Sequence, residues 1–157
     1  MKLAEALVLR ADAQKRLEQL VARATATARY QEGEPPVEDP GELLAQARTT
    51  VDEIEILVRR INRTNCATLL PSGQTITDAI ARRDALKSRR RLESAIADAA
   101  TGRDSGFGFA RGLRSELRYV TDLPVAALRE EADRTALELR NLDTEIQQAN
   151  WNTELID

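Results

Sequence analysis

Between Val125 and Ala149 the chain returns to an apolar or small side chain every three or four residues: Val125, Leu128, Ala132, Thr135, Leu139, Leu142, Ile146 and Ala149. Alternating steps of three and four hold one face of an α-helix in register, so this stretch must lay that face on a partner helix. One residue along runs a second stripe, Asp133, Ala136, Arg140, Asp143, Gln147 and Asn150, closed by Trp151. Gln, Asn and Trp are unusual choices for a wet helix end. This helix is therefore expected to finish in a buried polar layer.

Three further segments carry the same period. The first is expected over about 2–29, with Leu3, Leu7, Leu17, Val21, Ala24 and Ala28 on one stripe that Arg10 and Gln14 interrupt. A turn-rich acidic connector over 31–39 follows, and Asp39, Pro40 and Glu42 then form the start signal of a helix over about 40–66. Its stripe reads Leu44, Ala47, Val51, Ile54, Val58, Ile61 and Asn65. A third helix, about 76–100, opens with Thr75 and Asp78 and shows the small-residue stripe Ala81, Ala85, Ser88, Leu92, Ala95 and Ala99. The last spans about 122–151.

Between helices two and three, Thr68–Ile76 reads as a β-type turn around Pro71, Ser72 and Gly73. A Gly-rich loop over 101–114 precedes Ser115–Thr121, whose alternation suits a short strand able to pair with 74–76. The expected fold is all-α: an antiparallel four-helix bundle of long helices with a small two-stranded β element, in a single helical domain over 1–157.

Composition agrees. At 42% hydrophobic but only 3% aromatic, the core must be built from Leu, Ile, Val and Ala, a mix suited to close-packed helices. The net charge of -3 offers no general attraction to nucleic acid or anionic lipid. The chain has no His, which removes the commonest general base and zinc ligand, and with one cysteine, Cys66, it has no internal disulfide. Glu5 and Arg10 interrupt what a signal peptide would need as an apolar run. A cytoplasmic, soluble protein is expected, with no cofactor, no metal ligand set and no catalytic residue identified.

An antiparallel order brings the ends of helices two and four and the start of helix three to one pole. The candidate ligand-binding residues there are Asn62, Asn65, Arg83, Asp84, Arg140, Asp143, Gln147, Asn150 and Trp151, with Arg82 beside them. Arg and Asp among converging amides suit a small polar ligand or a hard cation. The same residues equally suit a hydrogen-bond network or a subunit interface that sets helix register. The basic run Arg82–Arg91 spreads round its helix and has no interleaved aromatic to stack bases, so no nucleic-acid partner is expected. Asp52-x-x-Glu55 and Glu130-x-x-Asp133 fall on helices two and four, at different heights, and do not make a magnesium site of the helical pyrophosphatase kind. Two Phe in Gly106–Phe109 are expected to contact the protein's own surface.

Several short motifs occur together: Lys2–Leu7, Gln31–Glu34 with Glu38–Pro40, Arg60–Asn65, Ala81–Asp84, and Asp143–Trp151 with Thr153–Leu155. The combination resembles the septicolysin-like family of small bacterial helical proteins, over nearly the full chain. The resemblance implies no catalytic residue; its name implies a cytolysin-like, membrane-active alternative. The reading from the residues is a non-enzymatic oligomeric scaffold or interaction protein, with a small-ligand binding module as the alternative. Apolar stripes on both sides of helix one exceed what one bundle can cover, so the expected partner is a second copy.

Overall fold

The carboxylate of Glu5 accepts the main-chain N–H of Lys2 at 2.8 Å, and from that anchor α1 runs Leu3–Thr27. The second helix, α2 (Pro40–Ala67), starts where Asp39 accepts the Gly41 N–H at 2.7 Å and Pro40 presets the first helical φ. Helices α3 (Ile76–Ala100) and α4 (Val125–Asn152) complete the four found among the described residues. The computed structural model describes residues 1–102 and 120–157. Most of the Gly-rich loop, the two Phe and most of the expected strand at Ser115–Thr121 lie outside the described residues.

The chain divides into two compact units. The first comprises Met1–Thr77 with Gln147–Asp157, and the second Asp78–Ile146. In the first unit α1 and α2 form an antiparallel pair. Arg16 bonds Glu53 and Arg23 bonds Glu38, so the partner number falls as α1 advances. Between them Leu20, Leu43 and Ala47 pack with Leu17 and Ala24. Leu3 and Ile61 are 0% and 1% exposed, and each such burial contributes about 1.5–3 kcal/mol.

The seam of α2 against α1 is one residue away from the stripe its sequence advertises. Leu43, Ala47, Thr50, Ile61 and Thr64 are buried, whereas Leu44 and Val51 stand half in solvent. The two stripes overlap at Ala47 and Ile61, and the pairing with α1 selects between them.

In the second unit α3 and α4 are also antiparallel. Arg82 bonds Glu138, and Arg129 reaches Asp98 at 3.8 Å. The inward stripe of α4 is the expected one, with Ala132, Thr135, Leu142 and Ile146 buried. The stripe expected for α3 is not its core face: Ala81, Ala85, Ser88, Leu92, Ala95 and Ala99 are all exposed. Ala79, Leu86 and Ala97 are buried instead. Ala has little apolar area to hide, so Leu86 decides which face turns inward.

The expected small two-stranded β element is not supported: no strand occurs among the described residues, which hold two isolated antiparallel bridges. One, Leu69 with Thr75, spans the Pro71–Gly73 turn, where Leu70 donates to Gln74 at 2.9 Å and Gly73 takes φ +83°. Ile76 already begins α3, so the ladder has no room for a second bridge. This turn pairs 74–76 with 68–70.

Candidate functional site

The nine candidate residues fall in both units. In the second, Arg83 lies on the inward side of α3, its side chain 26% exposed. It donates to Asp84 at 3.1 Å and faces Asp143 of α4 at 3.9 Å, while Lys87 stands 3.9 Å from the same Asp84 carboxylate. Two cations thus meet two carboxylates, and the cluster neutralises itself. Arg140 is exposed on the outer side of α4, and its carbonyl accepts the Thr144 hydroxyl. Of the four residues expected here, three come together and Arg140 does not.

In the first unit, Asn65 and Asn150 are half-buried, whereas Asn62, Gln147 and Trp151 are exposed, Trp151 by 62%. The expected buried polar layer at the end of α4 is therefore not built. The amides sit one residue off the inward stripe of α4, and that offset is enough to put them at the surface.

What the structure builds in that unit is a clasp of chain segments far apart in sequence. Leu3 donates to Thr153 and Leu155 donates to Met1, both at 2.9 Å, which makes the bridge between Lys2 and Glu154. The Lys2 ammonium binds Glu154 at 2.7 Å and the Met1 amine binds it at 3.1 Å. Hydrogen bonding from Lys2, then from the Met1 amine, holds the Glu154 carboxyl below the usual carboxylate range.

The following residues are carried onto α2. Leu155 is buried, and Ile156 donates its N–H to the Thr64 hydroxyl at 3.0 Å. That hydroxyl donates in turn to the Arg60 carbonyl at 2.8 Å, so both its functions are satisfied inside a fully buried side chain. Arg60 reaches the Ile156 carbonyl at 3.3 Å and pairs with the Asp157 carboxylate, and Arg63 donates to the main-chain oxygen of Asp157 at 2.9 Å. Ile56, Arg59, Arg60, Arg63 and Asp157 line a cleft of about 330 Å³.

Sequence reasoning passed over Thr64, Arg60 and Arg63 as members of this clasp. Their signal is their spacing. Steps of three and four put them on one turn of α2, next to the motif at Asn65, but nothing local identifies the segment they hold.

Three wider grooves lie on the α1–α2 pair. A polar one of about 490 Å³ contains Arg16, Gln19, Arg23, Gln46, Thr49 and Glu53. Hydrogen bonding from Arg23 lowers the Glu38 carboxyl against a smaller opposing effect of burial. Another, of about 560 Å³, presents Leu9, Ile56 and Leu57, and a third, of about 500 Å³, presents Val21 and Leu44. Among the described residues no three His, Cys, Asp or Glu side chains come close enough to hold a metal ion. Cys66 is exposed, with its sulfur 3.4 Å from the Thr77 hydroxyl.

A model of a protein family of unknown function, DUF6847, matches residues 10–155. The crystal structure of a functionally unknown conserved protein from Corynebacterium diphtheriae is 43% identical, covers 99% of both chains and superposes with a TM-score of 0.90. No curated protein matches the chain. The expected septicolysin-like membership is thereby corrected. Its motifs are short, and here they do ordinary structural work: Lys2 and Glu5 open a helix, Asp39 and Pro40 open another, and Arg60 and Thr64 hold the clasp. The cytolysin-like alternative rested on that resemblance and goes with it. Among the described residues no helix is long and apolar enough to cross a membrane.

Proposed function

We propose that this chain, which belongs to the DUF6847 family, is a non-enzymatic helical interaction protein that works as an assembly of its own copies. The observation that carries the reading is the apolar surface left on the α1–α2 pair. Leu9 and Ile56 are 47% and 54% exposed in one groove, and Val21 and Leu44 are 51% and 47% exposed in another. In the first groove they stand beside the polar side chains of Asp12, Arg16 and Glu53, and an exposed apolar patch with a polar rim marks protein–protein contact. A chain with 31% charged residues had other choices at those positions.

The self-neutralised cluster at Arg83, Asp84, Lys87 and Asp143 supports a structural role over ligand capture. A guest anion would have to displace Asp143 or Asp84 from Arg83, and a guest cation would have to displace Arg83 itself.

Sedimentation velocity of the full chain across about 1–100 µM tests the proposal, a range that brackets the association strength of weak to moderate interfaces. A mass at a multiple of 17.4 kDa is expected. A monomer throughout that range, with no partner recovered by crosslinking in cells, would sink it.

A further inference from the structure

Leu44 and Val51 are left over from the α1–α2 seam. That seam uses Leu43, Ala47 and Thr50, while Leu44 and Val51 stand 47% and 49% exposed. They are seven residues apart, the repeat of a helix that meets a second partner, and Val58, half-buried, continues the row. On α1 the same side is marked by Val21 and Thr25, which share a groove with Leu44. Glu18, seven residues before Thr25, falls at the same angle round α1, and Lys15 lies one turn further back.

We infer that a second copy of this chain packs on this side of the α1–α2 pair across a twofold axis at the level of Val51. This rests on the self-association reading above and assigns it a surface and a symmetry. The axis lies in the contact plane, across the helices, so it lays each helix antiparallel on its own copy. The charges fix its level.

On α2, a centre midway between Val51 and Asp52 sets Arg48 against the partner's Glu55 and Glu55 against the partner's Arg48. It also brings Leu44 to within one residue's rise, about 1.5 Å, of the level of the partner's Val58, and Val51 as near to the level of its own copy. On α1, a centre midway between Arg16 and Leu17 sets Lys15 against the partner's Glu18 and the reverse. These two centres lie at one height, because the Arg16–Glu53 bond and the packing of Leu20 on Ala47 bracket that register. A single axis therefore satisfies both helices.

Lys15, Glu18 and Arg48 are exposed, and none has an ionic partner among the described residues. Glu55 has only an exposed contact with Arg59 at 3.8 Å, one turn along its own helix. Four cross-copy pairs of opposite charge thus form from groups that the single chain leaves free or loosely held. That charge complementarity favours a second copy over an unrelated helix.

Disulfide trapping in the full chain tests the surface. With Cys66→Ser removing the native thiol, Val51→Cys lies beside the axis and is expected to crosslink to its own copy under mild oxidation. Leu9→Cys, in the other apolar groove, is expected to stay uncrosslinked. Charge exchange tests the symmetry. R48E or E55R alone is expected to weaken self-association about tenfold, and R48E/E55R together to restore it. These positions are exposed, and circular dichroism checks that the helices persist.

Crosslinking through Leu9→Cys but not Val51→Cys overturns the assigned surface while leaving self-association standing, as does an oligomer in which neither position crosslinks. A double charge exchange no better than the single ones overturns the twofold pairing. A chain that is monomeric by sedimentation and traps no disulfide overturns both this inference and the reading beneath it.

Discussion

The Thr64 hydroxyl accepts the N–H of Ile156 at 3.0 Å across 92 positions of sequence, while its own proton goes to the Arg60 carbonyl. This one atom ties the end of the described chain to the last turn of α2. It does so where water cannot substitute, since Thr64 is 0% exposed.

Thr64→Val keeps the shape and removes the acceptor, leaving the Ile156 N–H without its partner. A loss of about 1–3 kcal/mol is expected, read as a lower urea midpoint with an unchanged slope. Hydrogen exchange at Ile156 should rise further than exchange in α1. Thr64→Ser retains the acceptor and should recover most of the loss. A Thr64→Val chain as stable as the parent would show that the clasp contributes nothing.

Acid should open the clasp. Lys2 and the Met1 amine hold Glu154 ionised below the usual carboxylate range, so their stabilisation is complete above that range. It is lost as pH falls through the lowered value, when Glu154 takes up a proton. Melting temperature followed from pH 7 downward should drop below the carboxylate range, and Glu154→Gln should flatten that part of the curve. Glu38 is lowered by Arg23 in the same sense, so Glu38→Gln should flatten it too. Unchanged profiles in both variants would contradict this account.

Asp39→Ala removes the side-chain acceptor for the Gly41 N–H at the start of α2. The expected cost is about 1 kcal/mol. Asp39→Asn or Asp39→Ser should keep most of the cap. The comparison is made by thermal melts of the set, and an alanine variant that melts with the serine one would refute the capping role.

Asp143→Ala leaves Arg83 with Asp84 alone. For a half-exposed pair 3.9 Å apart the loss is about 0.2–1 kcal/mol, no more than a few degrees in melting temperature. The drop should shrink in high salt. A salt-independent fall of more than about 3 kcal/mol would mean that the pair is more deeply buried and coupled than this, since breaking a buried pair costs about 3–5 kcal/mol.

Four helices are legible in the chain because their signals are local. Asp39 and Pro40 set a start, the Pro71–Gly73 turn separates α2 from α3, and the three-and-four spacing of Ala132, Thr135, Leu142 and Ile146 names the inward face of α4. Period and capping act within a few residues, so composition and order suffice to write them. Three of the residues expected at a polar site, Arg83, Asp84 and Asp143, also come together, since facing stripes of antiparallel helices place them at matching heights.

Choices between equivalent local answers required the tertiary structure. On α3 an Ala stripe and the Leu86 stripe have the same period, and only packing turns Leu86 inward and leaves Ala85 and Leu92 outside. On α2, Leu43 and Leu44 compete for the seam with α1, and the height of Leu20 settles it for Leu43. The clasp lies beyond local reach altogether: Lys2 meets Glu154, and Thr64 meets Ile156, because the fold returns the end of α4 to the start of α1 and to α2. The sequence determined which segments are helical through interactions that end within a turn. The tertiary structure decided which faces and ends meet, because burial and long-range hydrogen bonds choose only among surfaces already brought together.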